Sequence, residues 1–241
     1  MLDHKSISLS NSLTDLMTSL MVIFILMLVV ALSQDRVETS TTENARDRIK
    51  SALEQRLVPR FEGVRVIQDD HDPFTLIVVV PERALKFNPS IHEVDSQSVI
   101  FLQRFIPQMN ELLCAKDNQE FVNSVIIEGH TDLTGNEKDN LALSQKRALD
   151  VMLKALSFTA PEYQTCFLNI TSVSGRGSSE PMCDVPGSTP IRCPKTREEV
   201  ERNPFYANDN PALSRRVDFK IRVKSELRDA VKEQLLSGKS A

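Results

Sequence analysis

Three sets of residues in this 241-residue chain have types and spacings that could do chemistry. The first is a single acid at the foot of an apolar run. Residues 13–32 read Leu-Thr-Asp-Leu-Met-Thr-Ser-Leu-Met-Val-Ile-Phe-Ile-Leu-Met-Leu-Val-Val-Ala-Leu, with Asp15 near the start and no charge from Leu16 to Gln34. At 1.5 Å per residue, 16–32 cover roughly 26 Å of a hydrocarbon core about 30 Å thick. A full span therefore begins near Leu13 and draws Asp15 into the membrane or to its edge. A carboxylate at the centre of a membrane helix costs on the order of 2.5–3.5 kcal/mol, which makes Asp15 a functional candidate. Asn11, Ser12, Asp15, Thr18 and Ser19 share one helical face. Such a stripe of small polar residues suits a helix packed on other membrane helices. The alternative is an interfacial Asp15 whose carboxylate reaches water.

The second set is the densest. Ile127-Glu128-Gly129-His130-Thr131-Asp132-Leu133-Thr134-Gly135 precedes a helical pattern that carries Asn140 and Arg147. A strand that ends in polar residues beside a helix start is where α/β sheets place ligands. Asp132 and Arg147 could clamp a zwitterion, one on its ammonium and one on its carboxylate, with helix-start amides near Asn140 assisting an anion. The competing reading is a structural Asp132–Arg147 ion pair closing a loop. His130 invites a metal or general-base role, but no second His or acid at ligand spacing accompanies it, so a structural role is expected. His71, among Asp69, Asp70 and Asp72, reads as a solvated turn.

The third set is Cys114, Cys166, Cys183 and Cys193, all beyond the apolar run. Four cysteines in an exported domain suggest disulfides with three possible connectivities, and their spacing matches no zinc motif. Cys183–Cys193 is favoured because it staples a Pro/Gly-rich loop, and Cys114–Cys166 then follows by elimination; four free thiols are the alternative.

A net charge of -4 without a basic block speaks against nucleic acid as a partner. The absence of Trp and the scarcity of Tyr leave no aromatic platform for sugars or bases. The apolar run could also be a cleaved signal peptide, with Lys5 before it and Ala31-Leu32-Ser33 as a cleavage site, although it is long and carries Asp15. Either way the remainder of the chain leaves the cytoplasm.

The elements that would position these residues follow from periodicity. Residues 34–44 are polar and read as a linker. Ala45, Ile49, Leu53 and Leu57 mark a helix whose narrow stripe must meet a copy of itself, a partner or the following domain. Residues 64–68 and 74–80 form a hairpin, the second strand apolar enough to be buried on both faces. A helix over 98–113 should kink or split at Pro107. A strand at 122–128, a helix over about 140–156 and a short strand at 169–174 come next. A long insertion over 175–210 carries two of the cysteines. Residues 217–223 alternate perfectly as a strand with one wet face, and Leu227, Val231 and Leu235 mark a terminal amphipathic helix. The fold class is α+β: a mixed sheet with helices on one side, preceded by a single transmembrane helix.

The motif of the second set resembles the OmpA-like peptidoglycan-binding domain, whose pattern is Gly-His/Tyr-Thr-Asp, then Gly, Asn, Leu-Ser and Arg-Ala. Gly175-Arg176-Gly177 with Pro181, and Arg215-Arg216-Val217, fit the same family, so the likeness covers 64–224. It implies that Asp132 and Arg147 bind the diaminopimelate of the cell-wall peptide and that Thr131 and Asn140 shape the pocket. Ser214 departs from the usual Asn, and the insertion could cover the pocket. Thr14-Asp15-Leu16-Met17-Thr18-Ser19-Leu20-Met21 resembles the membrane motif of MotB-type stator subunits. The short 1–12 tail and the Asp-Leu-Met-Thr form are most similar to the ZorB subunits of Zorya anti-phage systems.

That resemblance implies two copies of the chain inside a ring of five MotA/ZorA-like subunits. Asp15 would carry a proton or sodium ion, with Thr18 and Ser19 lining its path. It also implies an inner-membrane protein with a cytoplasmic tail (1–12), a membrane helix (13–33) and a linker with an amphipathic helix (34–63) serving as dimer contact or plug. A periplasmic domain (64–224) and a terminal helix (225–241) complete it. No cofactor and no enzymatic activity are implied. A flagellar stator and a passive wall anchor are the alternatives.

Overall fold

The first glycine or proline of the chain is Pro59, so nothing before it breaks a helix. In the computed structural model α1 accordingly runs over Asp3–Leu57. The structure describes residues 3–87, 92–183, 191–193 and 210–224; within α1, side chains are described for 16–30 and from 45 onward. The stretch 34–44, expected as a linker, is helical backbone instead. It is polar, but polarity alone does not stop a helix. The terminal helix expected within 225–241 lies outside the described residues.

The chain divides into two units, Met1–Glu43 with Ser225–Ala241, and Asn44–Lys224. In the first, the large apolar side chains between Leu16 and Val30 are exposed by 45% (Ile25) to 72% (Met27), so no described residue covers them. Thr18 and Ser19 are exposed as well. Among the described residues no helix is long and apolar enough to cross a membrane. The described part of the run, 16–30, is roughly 22 Å of helix. The side chain of Asp15 lies outside the described residues.

The second unit is a five-stranded mixed sheet. Its strands are β1 (Arg65–Gln68), β2 (Thr75–Pro81), β3 (Val122–His130), β4 (Thr171–Gly177) and β7 (Arg216–Val223), in the order β1-β2-β7-β3-β4. Only β3 and β4 run parallel; the other neighbours are antiparallel. The helices are α2 (Ser96–Leu113), α3 (Lys116–Gln119), α4 (Glu137–Phe158), α5 (Pro161–Ile170) and α6 (Pro211–Ser214), and the insertion adds a two-stranded piece, β5 (Met182–Cys183) with β6 (Ile191–Arg192).

Alternation along β7 decides the layers. Val217, Phe219, Ile221 and Val223 enter the core with Leu102, Phe105 and Ile106 of α2 and Val151 of α4. Arg216, Asp218, Lys220 and Arg222 therefore point to the opposite face. Ile49, Leu53 and Leu57 of α1 join the same core, so the narrow stripe is taken up by the following domain. At about 25 cal/mol per Å², each such buried side chain contributes on the order of 1.5–3 kcal/mol.

Three elements differ from expectation. α2 is not split at Pro107, because Phe105, Ile106, Met109 and Asn110 around it are all buried and their packing offsets the lost helix bond. α4 begins at Glu137, one turn early, because the Asn136 side chain caps it by accepting from Asp139 N at 2.9 Å. α5 was not expected at all. Its start carries Pro161 at the first helical position, a helix-initiating signal.

Candidate functional site

The polar residues of the second set gather at one end of the sheet. β2 and β3 finish there, and β7, antiparallel to both, begins there. α4 must come close to the strands for its first turns to reach this end. Glycine permits that: a Cβ at Gly129 would meet Ser144 O, and one at Gly175 would meet Gln145 N. Ser144 Oγ then accepts from Gly177 N at 2.9 Å, pinning α4 to the end of β4. Arg147 follows one turn further along.

Asp132 and Arg147 do not pair with each other. Asp132 Oδ2 accepts from Arg215 Nη1 at 2.5 Å, and Arg215 Nε donates to Glu82 Oε2 at 2.8 Å. Glu82 N also donates to Arg215 O at 3.1 Å, so the backbone holds this acid–arginine–acid row in register. Asp132 Oδ1 accepts from Thr134 N at 2.9 Å. Burial pushes the Asp132 carboxyl up, but the hydrogen bonds from Arg215 and Thr134 outweigh it and hold the group below its ordinary value. Burial pulls Arg215 down, and its bonds to Asp132 and Glu82 more than restore it.

Arg147 is different. Its guanidinium lies over the Phe87 ring, 4.7 Å from the centroid. Its buried Nε has no hydrogen-bond partner among the described residues, and it makes no ion pair among them. Burial is the main cause of a lowered guanidinium pKa, opposed by the charge of Glu82, reinforced by Arg215 and opposed again by Asp132. An arginine remains cationic under such shifts. The arrangement is a half-buried, flat and unneutralised cation beside a neutralised acid, which suits the carboxylate of a ligand.

Thr131 and Asn140 shape the surrounding loop. Thr131 N donates to Gly177 O at 2.9 Å, and its buried Oγ1 has no hydrogen-bond partner among the described residues. Asn140 Nδ2 donates to Thr134 O at 3.0 Å and approaches Asp132 O at 3.5 Å. The amide of Asn140 is spent on Asn136 O at 3.0 Å, so the expected help from helix-start amides at Asn140 is not available. Glu82, Phe87 and Arg215 were missed as site residues. Arg215 stood in a quoted motif, whereas Glu82 and Phe87 lie some fifty residues before the site motif in a stretch without a signal of its own.

A second charged cluster lies on the face of the sheet away from the helices. His130 Nε2 is 3.3 Å from Glu128 Oε1 and 3.2 Å from Asp218 Oδ2, all three side chains being buried. Their ligand atoms lie close enough together to hold a metal ion. Cations of the chain already serve these acids, however: Lys220 Nζ contacts Glu128 Oε1, and Arg216 Nε lies 3.1 Å from Asp218 Oδ2. Glu180 completes the cluster, with Arg176 at 2.7 Å and Arg192 at 3.3 Å. Burial raises the Glu180 carboxyl, but the bond from Arg176 and the charges of Lys220 and Arg192 bring it down to about 2. Asp218 is likewise raised by burial and lowered further by Arg216 and His130, ending below the usual carboxylate range.

Both disulfides form, Cys114–Cys166 and Cys183–Cys193. The second staples β5 and β6 over the helix-free face. There Met182 and Arg192 enclose a cavity of about 170 Å³ with Ile67, Ile77, Val79, Arg216 and Asp218. Arg192 also reaches Asp69 at 3.3 Å. The described part of the insertion therefore covers the second cluster and leaves Asp132 and Arg147 uncovered.

Two curated relatives and a solved structure are among the proteins similar to this chain. Zorya protein ZorB of Escherichia coli O139:H28 is 28% identical over 155 residues, 62% of this chain and 61% of that protein. A second Zorya protein ZorB, from Escherichia coli strain Crooks, is 27% identical over 236 residues, 90% of this chain and 88% of the relative. The chain thus spans less than two thirds of the first relative and most of the second. The crystal structure of the periplasmic domain of Helicobacter pylori MotB superposes with a TM-score of 0.45 at 17% identity, covering 75% of this chain and 94% of that one. No family model matches. In sequence the chain is similar to these ZorB proteins.

Proposed function

We propose that this chain is the wall-anchored subunit of an ion-driven rotary motor of the MotB type, working in a Zorya anti-phage system. Its role is binding and anchoring, not catalysis. The observation that carries the reading is the unneutralised Arg147 on Phe87 beside Asp132, at the strand ends of a mixed α/β domain. Such a site suits the ammonium and carboxylate of a diaminopimelate stem, with Thr131 and Asn140 holding its loop. The similarity to two ZorB proteins supports the defence role over a flagellar one.

In this reading residues 13–33 span the inner membrane, with 1–12 cytoplasmic and the second unit periplasmic. Two copies sit within a ring of five MotA/ZorA-like subunits. Asp15, with Thr18 and Ser19 beside it, takes up and releases a proton or sodium ion. Protonation removes the charge that holds Asp15 in its polar path, which is what makes the step productive in a low-dielectric setting. The exposed apolar side chains of 16–30 support a lipid- or subunit-facing helix.

Two measurements test the halves separately. Peptidoglycan pull-down should fail with Arg147→Ala and with Asp132→Ala; retained binding in both refutes the wall site. Asp15→Asn should abolish ion flux and phage defence while wall binding persists. Unchanged defence would leave only a passive anchor.

A further inference from the structure

At this site the acid is paired with a cation of the chain, and Arg147 is not paired with an acid among the described residues. Asp132 Oδ2 is held by Arg215, and Arg215 is held in turn by Glu82, whereas Arg147 has no anionic partner among the described residues. A zwitterionic ligand meets these two groups unequally. Its carboxylate can land on Arg147 directly, but its ammonium can reach Asp132 only where Arg215 now sits. Arg215 has an alternative, because its Nε already donates to Glu82 Oε2 at 2.8 Å while a different nitrogen serves Asp132. All three groups are partly solvent-accessible, with side-chain exposures of 33% for Arg215, 32% for Glu82 and 14% for Asp132, so the exchange does not require opening the core.

We propose that Arg215 is an internal competitor for the ligand's ammonium: it holds Asp132 as seen here and withdraws onto Glu82 when a ligand carrying both charges binds. This rests on the peptidoglycan reading above and adds a specificity rule to it. A ligand with only a carboxylate gains Arg147 but cannot displace Arg215. One with only an ammonium must displace Arg215 without the compensating bond to Arg147. A group bearing both, such as the free end of meso-diaminopimelate in a stem peptide, satisfies the site. Glu82, which touches no part of such a ligand, becomes a positioning residue that keeps the withdrawn guanidinium paired.

The test is calorimetric titration of the detergent-solubilised full chain with a stem tetrapeptide containing meso-diaminopimelate, and with the same peptide containing lysine. Arg215→Gln should bind the diaminopimelate peptide about three- to fivefold more tightly, the worth of a part-exposed ion pair, and the lysine peptide, whose ammonium meets the same competitor, should tighten as well. Arg215→Lys, which has one nitrogen in place of the fork whose separate nitrogens reach the two acids, should shift affinity in the same direction. Glu82→Gln should weaken binding, because Arg215 then has only Asp132. Weaker or unchanged binding in Arg215→Gln overturns the proposal and makes Arg215 a direct ligand contact or a bystander. Failure of the peptidoglycan reading looks different: Arg147→Ala then binds as the unaltered chain does, or no variant binds either peptide. Tightening cannot arise from misfolding, so the expected result is not open to that explanation.

Discussion

The domain contains two clusters built from the same residue types, and they behave differently because of what covers them. The cluster of Glu128, His130, Asp218, Arg216, Lys220 and Glu180 lies on the helix-free face beneath the stapled insertion, and its members other than the partly exposed Lys220 are buried. Each of its acids has a cation of the chain against it. The cluster of Glu82, Arg215, Asp132 and Arg147 lies at the strand ends, half open to solvent; both acids share Arg215, and Arg147 makes no ion pair among the described residues. A closed, balanced set of charges gives the fold a fixed geometry. An open set with an unpaired member gives a ligand somewhere to bind.

The sharpest way to break this contrast is Asp218→Ala. It leaves Arg216 buried without its acid, which should cost about 3–5 kcal/mol of stability, read as a fall in the urea midpoint. A loss under about 1 kcal/mol would mean that water already serves this cluster.

Next in size is the pH response. Glu180 has a folded pKa of about 2 against an ordinary 4.5, so it is depressed. A depressed carboxyl contributes stability in full above its unfolded pKa and loses it as pH falls through the folded value. The contribution should therefore disappear between about pH 5 and pH 2, amounting to at most about 3 kcal/mol. Glu180→Gln should remove that part of the slope in urea midpoints measured across this range. Asp218, Glu128, Asp132 and Asp72, also depressed, would share the slope that remains.

The smallest effect belongs to the open cluster. Asp132→Ala should change the melting midpoint by no more than about 1 kcal/mol in equivalent stability, since its partner Arg215 keeps Glu82 and water. The same variant is expected to lose wall binding. A large stability loss here would turn the site into a second structural cluster and erase the distinction.

Much of the scaffold was legible from local pattern. The alternation of 217–223 marked both faces of β7, and the apolar 74–80 marked a strand buried on both sides, as β2 is. The stripe of Ile49, Leu53 and Leu57 required a partner surface, though three surfaces would have served. Helix limits were harder to read. Residues 34–44 looked like a linker because they lack a hydrophobic period, yet without Gly or Pro the helix continues through them. α5 escaped notice because only Cys166 and Phe167 of its ten residues are buried, too few to display a period. At the site, Asp132, Arg147, Thr131 and Asn140 could be picked out by type and spacing, but their partners could not.

The sequence by itself determined which residues carry charge next to which turn, and that Asp15 stands alone at the foot of an apolar run. Tertiary structure alone decided that Asp132 faces Arg215 and Glu82, that Arg147 lies on Phe87, and that His130 sits inside a balanced ionic cluster. The physical reason is range. Periodicity and capping act over a few residues, whereas Asp132 and Arg215 are 83 positions apart and Glu82 and Arg215 are 133 apart. Only the antiparallel pairing of β7 with both β2 and β3 brings those three side chains to the same end of the sheet.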